Sequence, residues 1–220
     1  MKRLAILIGA VLILSLAMFM FGHSARKNAA DRKPVTITQS DQDDLQYYTD
    51  EIQKNPEDPV AFDTRGNKYF ELEYYEEALH DYDKAVEIDP DSEVFYHNRG
   101  AAYYYLQRFD EALSDFNAAI RLDPDYATAF SFRGITHSDM GAYELALADF
   151  DRAIEIDPDD PTTYVNRGNI HYELKNFDDA LANYNKNIQL EPDSTENYRI
   201  RGSFYYNQNR LDEALLDFSK

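Results

Sequence analysis

The amino-acid sequence predicts an all-α fold, a superhelical solenoid of helix-turn-helix repeats preceded by a single N-terminal hydrophobic helix. The first observation is an Arg-Gly pair that recurs every 34 residues, at Arg65-Gly66, Arg99-Gly100, Arg133-Gly134, Arg167-Gly168 and Arg201-Gly202. The second is an aliphatic–acid–proline triplet with the same period, and the third is an uncharged run over residues 4–21. A fixed period of roughly 20–50 residues indicates stacked repeats, because no single unit can bury its apolar face alone.

The N-terminal region is predicted to lie outside the repeat fold. Residues 1–3 form a cationic head, and the uncharged run over residues 4–21 is about as long as a helix that spans a bilayer core. The apolar region of a cleaved signal peptide is usually shorter, about 7–15 residues. We therefore expect a transmembrane anchor, with a cleaved signal segment as the alternative. Residues 22–40 are polar and contain Pro34, so they are predicted to be a tether.

The orientation of this segment depends on basic residues that lie on both sides of it, at Lys2 and Arg3 before it and within residues 26–33 after it. The positive-inside rule favours a cytoplasmic repeat domain, because the larger basic group is C-terminal to the segment. A short cationic head before an N-terminal span is, however, the usual layout of a signal anchor that exports the domain after it. We expect a single-pass membrane protein with an exported repeat domain, periplasmic or extracytoplasmic. A cytoplasmic-facing repeat domain and secretion after signal cleavage are the alternatives.

Five repeats emerge when each unit is numbered so that its closing proline falls at position 32. They span residues 59–92, 93–126, 127–160, 161–194 and 195–220, the last one stopping within its second helix. Each unit has an aromatic residue at positions 4 and 24, glycine at position 8 and alanine at position 20. Positions 4, 8 and 11 share one face of a helix, and the small residues let two helices approach closely. Residues 41–55 match the second half of a unit and are predicted to be an N-terminal capping helix.

This pattern resembles the tetratricopeptide repeat, a 34-residue helix-turn-helix unit with an aromatic residue, Gly, Tyr, Ala, Phe and Pro at these places. The resemblance covers residues 59–220. It implies a right-handed superhelix in which positions 2, 5, 9, 12 and 13 of the first helices line a concave groove for a peptide or partner helix. We call this surface the groove face. Its predicted residues are Asn67, Phe70, His97, Ala101, Tyr104, Tyr105, Ser131, Ile135, Asn169, Tyr172, Arg199 and Tyr206.

The groove face combines aromatic and amide side chains, which suits recognition of an extended peptide by ring anchors and main-chain hydrogen bonds. Tyr103 is assigned to the core, whereas Tyr104 and Tyr105 are expected to face the groove. The alternative is that these tyrosines only cover their own helix. Family members that clamp a C-terminal carboxylate place lysines and arginines among groove asparagines. Cationic groove residues are nearly absent here, which argues against that subtype.

The recurring arginine occupies position 7, where leucine is common in the resembled family, and position 23 carries Asp in four units and Asn in one. We predict that each arginine pairs with position 23 across its own hairpin. This role is structural, because a ligand site would not need the same group in every unit. The predicted pairs are Arg65 with Asp81, Arg99 with Asp115, Arg133 with Asp149, Arg167 with Asn183, and Arg201 with Asp217.

No motif in the sequence indicates an enzyme. There is no phosphate-binding glycine loop, no HExxH and no GxSxG, and the chain has no cysteine. His137 and His171 share position 11 in neighbouring units and are expected to replace tyrosine near the core rather than to bind zinc together. No catalytic residue, metal ligand or cofactor is therefore predicted.

The charge distribution restricts the partners. The first 33 residues carry a net charge of +5 within the total of −19, so the rest of the chain carries −24. Such a surface repels nucleic acid and favours protein or peptide partners, basic ones in particular. Self-association is also expected, through the C-terminal end that carries Leu215, Leu216 and Phe218.

These observations together predict a non-catalytic protein-protein interaction scaffold that is tethered to a membrane and binds a peptide or protein segment in its groove. Two alternatives remain. The chain could be an accessory subunit of an enzyme or membrane assembly that docks through its C-terminal end. It could also be the anchor and adaptor part of a longer enzyme.

Overall fold

The computed structural model describes residues 37–220, and this part of the chain consists of eleven α-helices without a strand. In chain order the helices are α1 (Gln39–Lys54), α2 (Pro59–Glu71), α3 (Tyr75–Ile88), α4 (Glu93–Tyr105), α5 (Phe109–Leu122), α6 (Ala127–Asp139), α7 (Tyr143–Ile156), α8 (Pro161–Glu173), α9 (Phe177–Leu190), α10 (Thr195–Asn207) and α11 (Leu211–Asp217). The all-α helical-repeat architecture predicted from the 34-residue period is thereby confirmed.

The predicted cationic head, the hydrophobic segment over residues 4–21 and the first part of the tether lie outside the described residues. Within residues 37–220, no helix is both long enough and apolar enough to cross a membrane. The tether prediction was wrong at its C-terminal end, because residues 39 and 40 already belong to α1. A capping box starts the helix there: Thr38 Oγ1 accepts from the Asp41 amide at 3.2 Å, and Asp41 Oδ2 accepts from the Thr38 amide at 2.9 Å.

Each repeat is a pair of helices joined by a tight turn. The first helix has 13 residues in all five repeats, and the second has 14 residues in the first four. Position 15 of every repeat adopts a left-handed backbone, with φ of 61° at Glu73, 61° at Gln107, 77° at Gly141, 62° at Lys175 and 57° at Asn209. Glycine supplies this conformation at one of the five turns only, so residue type does not reveal the turn.

The described residues form two compact units, one ending at Thr163 and one comprising Tyr164–Lys220. In the first unit, α2 packs on α3, α4 on α5 and α6 on α7, and successive hairpins meet through α3–α4 and α5–α6 contacts. Helix α1 packs on α2 in the place that a preceding second helix would take. In the second unit, α9 packs on α10 and α10 packs on α11.

The core of each hairpin is a contact between a glycine and an aromatic ring. A Cβ atom added to Gly100 would lie only 2.8 Å from Cε1 of Phe116, whose ring is completely buried. The other position-8 glycines face the position-24 ring of their own hairpin in the same way. The backbone of the first helix therefore lies directly on a ring of the second. This approach positions the remaining faces of the first helices, which carry the predicted groove residues.

Candidate protein-interaction surface

The structure brings all five predicted arginine pairs within hydrogen-bond distance. Arg99 donates from Nε and Nη2 to the two carboxylate oxygens of Asp115, at 2.7 Å each. The same two-pronged geometry joins Arg65 to Asp81, Arg133 to Asp149 and Arg201 to Asp217. In the fourth repeat, Nε of Arg167 donates to Oδ1 of Asn183 at 2.9 Å.

The arginines also reach backward to the preceding repeat. Nη1 of Arg99 donates to Oδ1 of Asp83 on α3 at 3.0 Å, so one guanidinium joins three helices. The equivalent contacts link Arg65 to Thr49, Arg133 to Asn117 and Arg201 to Asn185, at 3.1, 2.6 and 2.7 Å. Sequence reasoning missed these partners. The signal was present, because position 25 carries a hydrogen-bonding side chain in the capping helix and in each of the first four units: Thr49, Asp83, Asn117, Asp151 and Asn185.

The pKa values of one pair show how tightly it is held. The hydrogen bonds that Arg99 donates to the Asp115 carboxylate raise the pKa of Arg99 well above its usual value. Burial raises the pKa of the Asp115 carboxyl, although the hydrogen bonds from Arg99 act in the opposite direction. A carboxylate this buried needs its guanidinium to stay charged. The position-7 arginines are therefore structural and are not free to hold a ligand.

Four predicted groove residues are buried, and the prediction that they line an open groove was wrong. They are His97, Ala101, Tyr104 and Ser131. Tyr104 is only 2% exposed, its ring packs beside Phe109 and Phe132, and its hydroxyl donates to Oδ2 of Asp139 on α6 at 2.8 Å. Tyr104 thus points at α6, the first helix of the next repeat, and stacking on that helix removes it from solvent.

Tyr103, a predicted core residue, is partly buried. The guanidinium of Arg108 lies 4.5 Å from the centre of its ring. Tyr103 nevertheless packs against the apolar cores of both neighbouring hairpins, as predicted, and only the expected exposure of Tyr104 was wrong. One residue along a helix turns the side chain by about 100°, which moves it from the hairpin to the space between successive first helices.

The ring of His97 is buried among other aromatic rings in this structure. Its ring packs against Phe116, Tyr126 and Phe132 at centroid distances of 5.8, 5.3 and 5.1 Å. Its Nδ1 atom is buried and has no hydrogen-bond partner among residues 37–220. Burial lowers the pKa of His97 to about 4, so the imidazole is neutral near pH 7. Ser131 is also buried, and its hydroxyl pairs with that of Thr163 at 2.6 Å.

The groove residues that keep some exposure in the first unit are Asn67, Phe70, Tyr105 and Ile135. Phe70 meets Tyr105 edge to face at 5.2 Å, and Tyr75 stacks on Tyr105 at 5.0 Å. We call Phe70, Tyr75 and Tyr105 the aromatic patch. It joins α2, α3 and α4, so two successive repeats contribute to one apolar surface.

In the second unit, Asn169, Tyr172 and Arg199 are partly exposed and Tyr206 is 39% exposed. Tyr172 packs beside Phe204 at 6.0 Å. The hydroxyl of Tyr184 donates to Oδ1 of Asn169 at 2.9 Å, which orients that amide. Arg199 forms an ion pair with Glu196 on its own helix, through Nε and Oε2 at 2.7 Å.

Sequence reasoning also missed Asp63, which occupies position 5 of the first repeat and lies on the groove face by the same rule that selected His97. Its Oδ2 accepts from Asn67 Nδ2 at 3.0 Å, and its Oδ1 accepts from Asn98 Nδ2 at 2.8 Å. The hydroxyl of Tyr82 donates to Oδ1 of Asn67 at 2.7 Å and fixes that amide. Asp63 is 8% exposed, and burial raises the pKa of its carboxyl.

His137 and His171 are partly buried beside the hairpin cores, and burial lowers the pKa of His137. Over residues 37–220, no group of three or more histidine or acidic side chains is arranged to hold a metal ion. The polar chemistry that this part of the chain presents is therefore hydrogen bonding and charge, beside aromatic surface.

Comparison with known proteins agrees with this architecture. Three family models match the chain, one described as TPR repeat over residues 66–107 and two described as tetratricopeptide repeat over residues 97–161 and 161–194. Together they extend over more than half of the chain. No curated protein matches the sequence.

Several solved structures are similar. YrrB, described as a TPR protein with an unusual peptide-binding site, is 24% identical, with 79% of this chain and 89% of that chain covered and a TM-score of 0.59. A tetratricopeptide repeat protein from Parabacteroides merdae is 24% identical over 82% of this chain and 70% of its own, with a TM-score of 0.68. The first TPR of Spaghetti (RPAP3), bound to an HSP90 peptide, is 32% identical over 53% of this chain and 93% of its own, with a TM-score of 0.52. The chain therefore belongs to the tetratricopeptide repeat family.

Proposed function

We propose that this protein is a non-catalytic interaction scaffold whose groove face binds an extended peptide segment of a partner protein. The observation that carries the proposal is the aromatic patch, because the partly exposed rings of Phe70 and Tyr105, contributed by successive repeats and backed by the buried ring of Tyr75, can anchor the side chains of one extended peptide. Asn67 lies three residues before Phe70 on α2, on the same face of the helix, and can add a polar contact. YrrB has a peptide-binding site and the RPAP3 repeat holds a peptide, which supports the same role here.

Selection from a phage-displayed library of random octapeptides tests this function. The full chain should enrich a set of related sequences, and Tyr105→Ala should weaken binding of those peptides by tenfold or more. Tyr47→Ala is the matched control, because Tyr47 is 60% exposed on α1, away from the predicted groove. Equal losses for the two variants, or no enrichment by the unaltered chain, would contradict peptide binding on the groove face.

We further propose that residues 4–21 anchor the scaffold in a membrane and that the repeats lie in an exported compartment. The length of the uncharged segment and the cationic head before it support this proposal. A reporter that is active only outside the cytoplasm, fused after Lys220, tests it together with membrane fractionation. An active, membrane-bound fusion is expected. An inactive, membrane-bound fusion would reverse the orientation, and an active, soluble one would indicate a cleaved signal.

A second candidate function, docking of the scaffold into a larger assembly, is favoured by α11. Leu211, Leu215 and Leu216 are 55%, 71% and 64% exposed on this short helix. Aliphatic side chains presented together in this way are typical of contact surfaces. Leu215→Gln with Leu216→Gln should abolish association if α11 is the docking surface and should leave peptide binding on the groove face unchanged.

A further inference from the structure

Asp63 is an exception among the buried carboxylates of the described residues. The others are Asp81, Asp115, Asp149 and Asp217, and each of these accepts two hydrogen bonds from an arginine. Asp63 is almost as buried, at 8% exposure, but its hydrogen bonds come from the neutral amides of Asn67 and Asn98. Within residues 37–220, Asp63 is thus the buried carboxylate without a cationic partner.

Such an arrangement is costly for the folded protein. Moving a carboxylate out of water disfavours its charged form, and hydrogen bonds from neutral amides compensate only part of that cost. Burial accordingly raises the pKa of the Asp63 carboxyl, although both asparagines act in the opposite direction. A cation placed against the carboxylate would remove this penalty. An uncompensated charge held in a prepared site is typical of functional positions.

The repeat fold does not itself require an acid at this place. Position 5 of the following repeats carries His97, Ser131, Val165 and Arg199. Neutral and even cationic side chains are therefore compatible with the same helix pair. What distinguishes the first repeat is that an amide from its own helix, Asn67, and one from the next first helix, Asn98, both converge on the carboxylate.

The surroundings have the polarity that a cationic ligand needs. The groove face of the first unit carries two further acids, Glu71 and Asp139. In contrast, the lysines and arginines of α2, α4 and α6 are all held in ion pairs: Arg65, Lys68, Arg99 and Arg133. No cation of these helices is free to repel a basic ligand or to hold an acidic one.

The geometry also connects Asp63 with the aromatic patch. Asp63, Asn67 and Phe70 are spaced four and three residues apart, so they share a face of α2. Asn98 and Tyr105 lie seven residues apart on α4. An extended peptide that places an apolar or aromatic side chain on the patch can therefore place a neighbouring side chain towards Asp63.

We propose that Asp63, oriented by Asn67 and Asn98, is a subsite for a lysine or arginine side chain of the bound peptide, so that the partner of this scaffold is a basic segment. This inference rests on the proposed peptide-binding function and specifies its ligand. The four oxygen lone-pair positions of the carboxylate are only half used by the two asparagines, which leaves acceptors for an ammonium or guanidinium group.

The competing interpretation is that Asp63 only ties α2 to α4 through Asn98. The two interpretations differ in what Asp63→Asn does. A purely structural aspartate predicts a loss of stability with unchanged peptide preference. A cation subsite predicts loss of the preference for basic side chains with stability kept, because the substitution removes an uncompensated buried charge while retaining the shape of the side chain.

The experiment measures binding of the full chain to an array of octapeptides with blocked termini that contain zero to three lysines. Each lysine-bearing peptide is paired with a copy in which the lysines are acetylated. Binding is measured at about 150 mM salt, where long-range attraction is screened beyond about 8 Å. The unaltered chain should prefer the lysine peptides over their acetylated copies by tenfold or more. Asp63→Asn should reduce that ratio to near one.

The matched control is Asp110→Asn, which removes one negative charge from an exposed site on α5 and should keep the full preference. Equal lysine preference in Asp63→Asn and Asp110→Asn, or no preference in the unaltered chain, would overturn the subsite while leaving peptide binding intact. No binding to any peptide would instead remove the proposed function itself. If Asp63→Asn does not fold, Asp63→Ser replaces it, since serine occupies the same position at Ser131.

Discussion

Arg99 and Asp115 form a two-pronged pair across the α4–α5 hairpin, with Nε and Nη2 each 2.7 Å from a carboxylate oxygen. The carboxylate is 6% exposed and the guanidinium side chain 19% exposed. Because the third guanidinium nitrogen reaches Asp83 on α3, the pair also fixes one repeat against the one before it. The hairpins of this protein are thus held by a repeated polar contact as well as by apolar packing.

Replacing Arg99 by methionine should destabilise the protein by about 3 kcal/mol, because it leaves Asp115 buried and unpaired. The matched variant Arg167→Met should cost less, about 1–2 kcal/mol, since the partner Asn183 is neutral and no buried charge is left behind. Urea unfolding followed by circular dichroism measures both. Equal losses in the two variants would contradict the electrostatic explanation.

Gly100→Ala should destabilise the protein by about 1–3 kcal/mol, although alanine is the better helix former by about 1 kcal/mol. The new methyl group would lie 2.8 Å from Cε1 of Phe116 and 3.2 Å from Cβ of Asp115. In a double-mutant cycle with Phe116→Leu, the loss of unfolding free energy caused by Gly100→Ala should be smaller, because leucine leaves room for the added methyl group. A stabilising Gly100→Ala would show that the close helix approach is not required.

His97 should make stability fall as the pH falls from about 6.5 to about 4. Its folded-state pKa is about 4, whereas the unfolded chain titrates near 6.5, so the unfolded state binds the extra proton first in this range. One such group contributes a slope of at most about 1.4 kcal/mol per pH unit. His97→Phe should keep the packing on Phe132 and flatten this part of the profile. An unchanged pH profile in that variant would exclude His97 as the source.

Helix α1 should detach more easily when Lys68 is neutralised. This helix has no fully buried residue, and Nζ of Lys68 on α2 holds it through Asp41 and Asp44 at 2.8 and 3.1 Å. Hydrogen bonds from Lys68 and Thr38 lower the pKa of Asp41 to about 2. The attraction is therefore present above the usual pKa of 3.8 and is lost as the pH falls towards 2.

Hydrogen exchange followed by mass spectrometry tests this attachment. Lys68→Gln should accelerate exchange in residues 39–54 without changing exchange in α4. Added salt should also accelerate exchange in residues 39–54 of the unaltered chain, because it screens the ion pairs. Lys84→Gln is the control, because Lys84 pairs only with Glu87 on its own helix among the contacts of the described residues. Faster exchange across all repeats in Lys68→Gln would mean that the lysine supports the whole fold and not α1 in particular.

The sequence predicts most of this fold because its information is periodic. The pairing of Arg99 with Asp115 is predicted by two positions that recur in every unit, and the packing of Gly100 on Phe116 by two more. A pattern repeated five times identifies the contacts that every repeat needs. Features that occur once are not identified in this way, and Asp63 is such a feature.

The groove face was predicted less well, for a physical reason. A position-12 side chain faces solvent only if the first helix of the following repeat lies far enough away. The spacing of residues along one helix does not reveal this distance between two repeats. Tyr104 is buried because its ring packs against Phe132 on α6, where its hydroxyl also donates to Asp139, 35 residues away in the sequence. Phe70, at the equivalent place one repeat earlier, keeps some exposure and joins the aromatic patch.

The most direct test of the central claim is to locate a bound basic peptide on the full chain. A lysine-bearing octapeptide with a photoreactive diazirine side chain would be cross-linked to the protein, and the attachment sites would be identified by mass spectrometry. Peptide binding on the groove face predicts attachment at Phe70, Tyr105 and neighbouring residues of α2 and α4, with loss of that signal in Asp63→Asn. Attachment concentrated around Leu215 on α11 would contradict peptide binding on the groove face, and an unchanged pattern in Asp63→Asn would overturn the lysine subsite alone.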